Sequence, residues 1–75
     1  MAMTVLRITK KEIREKISLL QDFRIINPQD KTKKEAVKKL LMACETELRA
    51  SIVLHDVLQG RESLDNLLKR KKIAI

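Results

Sequence analysis

Of 75 residues only one, Phe23, is aromatic, although 44% of the chain is hydrophobic. Its core must therefore be built from Ile, Leu, Val, Ala and Met, side chains that suit helices packed on helices. A chain this short forms one domain, residues 1–75, and buries only about 60% of the surface its unfolded form exposes. A thin core of that kind is expected to be completed by a second copy or by a partner.

Other chemistry is narrowed by what the chain lacks. The single cysteine, Cys44, allows no internal disulfide and no multi-cysteine zinc site, which points to a reducing compartment. One glycine, Gly60, cannot build a phosphate-cradling loop. No apolar run is long enough to span a bilayer, and residues 1–11 lack the apolar stretch of a secretory signal, so the expectation is a cytoplasmic protein unlinked to membrane. The formal charge of +7 is spread along the chain and favours a polyanion or an acidic protein surface as partner.

Along the chain, Met3-Thr4-Val5-Leu6-Arg7-Ile8 is rich in β-branched residues and reads as a short strand. Thr9-Lys10-Lys11-Glu12 matches a capping box, so a helix starts near Lys10; its stripe is Ile13, Ile17 and Leu20, widened by Leu19 and Phe23, and it ends near Arg24. Pro28 makes residues 25–30 a connector. Thr32-Lys33-Lys34-Glu35 is a second possible capping box, with Asp30 as a competing cap. From there Val37, Leu40, Leu41, Cys44, Leu48 and Ile52 recur at helical spacing, predicting one long helix that runs to Leu58 before Gly60 caps it. Val53 and Val57 fall on its opposite face, so its far half is expected to be covered on two sides. Ser63 caps a last short helix with Leu64, Leu67 and Leu68 inward, followed by Lys69-Arg70-Lys71-Lys72 and an extended Ile73-Ala74-Ile75. The predicted fold is mainly α: a short N-terminal strand, a helix, a long second helix and a short C-terminal helix. The apolar surplus at Val53, Val57, Ile73 and Ile75 predicts a homodimer or another obligate complex.

No constellation of catalytic residues emerges, so neither an enzyme nor a cofactor is expected. On one continuous helix Cys44 and His55 would stand about 16 Å apart, too far for a nucleophile and its base. His55 reads more simply as a partly buried histidine, and Cys44, beside Leu40, Leu41 and Leu48, as a small buried hydrophobe. Glu45 and Glu47 are two apart on a helix and do not face each other.

Two basic clusters remain. Lys69-Arg70-Lys71-Lys72 sits at a predicted helix C-terminus, where cations are favoured; it reads either as a solvated tail or as a phosphate contact. Lys31, Lys33 and Lys34, with Lys38 and Lys39 one turn on, sit at a helix N-terminus, where cations oppose the dipole. An anion held on the free amides there would resolve the conflict, and a solvated face is the alternative. Without Trp or Tyr the chain lacks stacking platforms for single strands, so any nucleic acid bound is expected to be duplex DNA.

Within residues 4–49, Val5-Leu6-Arg7-Ile8-Thr9-Lys10-Lys11-Glu12-Ile13 resembles the strand and first helix of the ribbon-helix-helix family of dimeric DNA-binding regulators. Lys31-Thr32-Lys33-Lys34-Glu35-Ala36-Val37 resembles the start of that family's second helix. The resemblance implies paired strands in the major groove, with Val5 and Arg7 facing bases and Leu6 and Ile8 in the core. It also implies that Lys31, Thr32 and Lys33 hold the backbone. The connector from Arg24 to Lys31, with Pro28 in place of a glycine turn, and the apolar Val5 both depart from the family pattern. The candidate nucleic-acid-binding residues are thus Arg7, Lys10, Lys31, Thr32, Lys33 and Lys34. Two function classes follow: a small dimeric DNA-binding transcriptional regulator or accessory factor, and a helical interaction module such as an inhibitor, adaptor or assembly subunit.

Overall fold

A computed structural model describes residues 7–73, in which four helices follow one another: α1 Lys10–Asp22, α2 Lys31–Ala43, α3 Glu47–Leu58 and α4 Leu64–Arg70. Among the described residues there is no strand. Of the expected ribbon only Arg7 and Ile8 are described: Arg7 makes one isolated antiparallel bridge with Thr46, and the Ile8 N–H donates to the Glu45 carbonyl at 2.9 Å. Residues 1–6, including Val5 and Leu6, and residues 74–75 lie outside the described range.

Local chemistry places each helix start. The Thr9 hydroxyl accepts from the Glu12 N–H while the Glu12 carboxylate accepts from the Thr9 N–H, completing the expected capping box. At α2 the competing cap prevails: the Asp30 carboxylate accepts from the Lys33 N–H, and Thr32 lies inside the first turn. An anionic cap next to the helix's unpaired amides also answers its positive end, which a threonine hydroxyl cannot do. Ser63 caps α4 as expected.

The long second helix is the main correction. It breaks at Cys44-Glu45-Thr46, where Glu45 turns to a φ of 69° and the Thr46 hydroxyl caps a new helix by accepting from the Arg49 N–H. The interruption resets the helical phase. Val37, Leu40, Leu41 and Cys44 are buried as the stripe predicts, but α3 then buries Ala50, Leu54 and Val57, leaving Leu48 69% and Ile52 55% exposed. Val53 and Ile73 pack against the same core, so the apolar surplus that argued for a second copy is taken up within one chain, apart from Ile75 outside the described range.

The break also folds the chain back on itself. Since Ile8 is bonded beside the end of α2, and a short connector leads from the end of α1 to the start of α2, these two helices run antiparallel. Lys33 near the start of α2 pairs with Asp65 in the first turn of α4 at 2.5 Å, while Lys16 of α1 pairs with Glu47 at the start of α3 at 2.9 Å. The core between them holds Ile13 and Leu20 of α1, Ile26 of the connector, and Leu64, Leu67 and Leu68 of α4. Phe23, expected inside, is 63% exposed because it is the residue that ends α1, past its last inward turn; Leu19 lies on the outer side of the same helix.

Candidate functional site

The antiparallel packing of α1 and α2 leaves a groove on the outer side of the pair, with a volume of about 850 Å³. On α1 it is lined at positions 10, 13, 14, 17, 18 and 21, the spacing of a single helical face. On α2 it is lined by Lys34, Glu35, Lys38 and Met42. Arg7 and Ile8, held by their link to Glu45 and Thr46, close one end.

Charge along the groove is one-sided: Arg7, Lys10, Arg14, Lys34 and Lys38 line it against a single carboxylate, Glu35. Among the described residues none of these five cations is in an ion pair, although the Lys34 ammonium donates to the Pro28 carbonyl at 3.3 Å. Arg7, Lys10 and Arg14 belong to the chain entering α1 and to its first half, while Lys34 lies near the start of α2 and Lys38 just past its middle. The two sets therefore line opposite walls of the groove, and because the helices are antiparallel Lys38 stands nearer the Arg7 end than Lys34 does. Ile13 and Ile17 lie between these walls and give the groove an apolar middle, which Met42, in the last turn of α2, continues towards the Arg7 end.

The candidate residues are therefore divided. Arg7, Lys10 and Lys34 come together in the groove. Lys33 turns away to Asp65, and Lys31 and Thr32 are exposed at the start of α2 without lining the groove. Part of the dipole conflict expected at that helix start is met inside the protein by the Asp30 cap and by Asp65. The candidate set lacked Arg14, Lys38 and the apolar middle. Their signal was the four-residue spacing of Lys10 with Arg14 and of Lys34 with Lys38, two cationic stripes on facing helices.

Elsewhere, no group of three or more His, Cys, Asp or Glu side chains among the described residues is arranged to hold a metal ion. Cys44 is buried as expected, its thiol donating to the Leu40 carbonyl at 3.3 Å; burial pushes its pKa up, with Lys71 and Arg49 opposing. His55 is exposed on α3, contrary to its expected partial burial, because the helix break turned its face outward. No helix among the described residues is long and apolar enough to cross a membrane. No protein-family model, curated protein or solved structure matches the chain.

Proposed function

We propose that this chain is a non-catalytic binding protein that recognises an anionic macromolecular partner through the groove between α1 and α2. The observation that carries this reading is the charge of the groove, five cationic side chains against one carboxylate. Cations gathered on one surface outside any ion pair among the described residues raise the local concentration of anions and keep their attraction for an incoming one. Two partners fit that charge. One is the phosphate backbone of duplex DNA, as for a small, dimeric transcriptional regulator or DNA-binding accessory factor. Exposed Lys31 and Thr32 support that reading, because they extend the polar surface beyond the groove to the start of α2. The other is an acidic protein surface, as for an inhibitor, adaptor or assembly subunit, and the apolar middle of the groove favours it.

The test is the double substitution Arg14→Gln with Lys38→Gln, two groove cations outside any ion pair among the described residues. The melt should be unchanged, while affinity for heparin and for duplex DNA at low salt should fall. For DNA the slope of log affinity against log salt should become shallower by about 2, one unit for each lost phosphate contact. Unchanged affinity and slope would show that these side chains are merely solvated.

A further inference from the structure

Resting on the reading of the groove as an anion site, we infer that its occupant is an acidic amphipathic helix of a partner protein, about three turns long. The length follows from the lining of α1. From Lys10 to Gln21 the groove face extends over eleven residues, which at about 1.5 Å per residue is roughly 16 Å, or three helical turns. The apolar stripe follows from the middle: Ile13 is buried below, Ile17 is partly covered, and Met42 stands 56% exposed. Methionine on a surface between two helices is an adaptable contact for an incoming aliphatic side chain. The acidic flanks follow from the cations on the two walls of the groove, Lys10 and Arg14 on one and Lys34 and Lys38 on the other, which call for carboxylates on both sides of the partner's stripe.

A duplex fits these features less well. Packed helices lie about 8–10 Å apart, so a double helix laid over them touches the cationic rim and leaves the apolar middle in water. A single α-helix is about 10–12 Å across with its side chains, and lowers one row of them between the two. Single-stranded nucleic acid finds no aromatic platform there.

The experiment measures binding of three labelled probes to the full chain at low salt. The first is a 14-residue, end-capped helical peptide with leucines on one face and glutamates on both sides of it. The second is a scrambled peptide of the same composition, and the third a 20-base-pair duplex. The amphipathic peptide should bind about tenfold tighter than the scrambled one. Met42→Asn, at an exposed position and checked by its melt, should weaken the amphipathic peptide several-fold and leave the duplex unaffected, whereas the Arg14→Gln/Lys38→Gln pair should weaken all three. Equal binding of the two peptides, with no effect of Met42→Asn, overturns the helix inference and leaves the anion site standing. Tighter binding of the duplex than of the amphipathic peptide makes nucleic acid the partner. No binding of any probe overturns both readings.

Discussion

Lys16 is the only buried charged residue among those described, at 7% exposure, and its ammonium donates to the Glu47 carboxylate at 2.9 Å. The Ser51 hydroxyl donates to the same oxygen at 2.6 Å, so one carboxylate at the start of α3 anchors α1. Those two donors, Ser51 first and then Lys16, hold the Glu47 pKa below its ordinary 4.5. A carboxyl lowered in the folded state gives stability that is complete above its ordinary value and is lost as pH falls through the lowered one. The melting temperature should therefore drop on acidification below about 4.5, and drop less steeply in Glu47→Gln; parallel pH curves would show that the contact contributes nothing. Cys44 allows a second prediction. Buried, with its thiol favoured over the thiolate, it should react with a thiol reagent only at the rate of unfolding, and become freely reactive in denaturant. Rapid labelling of the native protein would contradict its placement in the core.

At the scale of the elements, all four helices end with a residue in the left-handed region: Arg24 at φ 60°, Glu45 at 69°, Gly60 at 75° and Lys72 at 56°. In α1, α3 and α4 the amide of that residue and the amide after it reach back to the last turn, as Arg24 does to Gln21 and Ile25 to Leu20. Only Gly60 was legible as such an end, because glycine alone adopts that backbone without a side-chain penalty. Glu45 carries no such signal, so the stripe from Val37 to Ile52 predicts one helix running through it to Leu58. Only on that unbroken helix do Leu48, Ile52 and His55 face inward and Val57 the opposite side; the break at Glu45 reverses all four. Thr46 held half of a signal, a cap residue followed by Glu47 but with Arg49 where a capping box has Glu or Gln. Glu45→Gly should relieve the left-handed strain and raise stability by about 0.5–1 kcal/mol, read from a denaturant melt. A loss of stability there would mean that the glutamate side chain matters more to the break than its backbone does.

For the whole molecule, the helical core was legible in the aliphatic composition, whereas the net charge supports only the proposal of an anionic partner. The site was legible only in part, since a groove belongs to two helices at once and depends on the phase at which they meet. The lysines adjacent in sequence at the start of α2 suggest a single cluster, whereas the structure sends Lys33 to Asp65 and takes Lys34 with Lys38 into the groove. Exposed Leu48 and Ile52 on α3, and the cations of residues 69–72 with only Arg70 engaged by Glu62 among the described residues, are the competing surfaces. The most direct test of the groove as the binding site is a two-dimensional NMR titration of the isotope-labelled chain with an acidic polymer such as polyglutamate at low salt. Amide shifts should concentrate at Lys10, Arg14, Ser18, Lys38 and Met42. Shifts confined to residues 69–72 or to Leu48 and Ile52, with those groove amides unmoved, would contradict it.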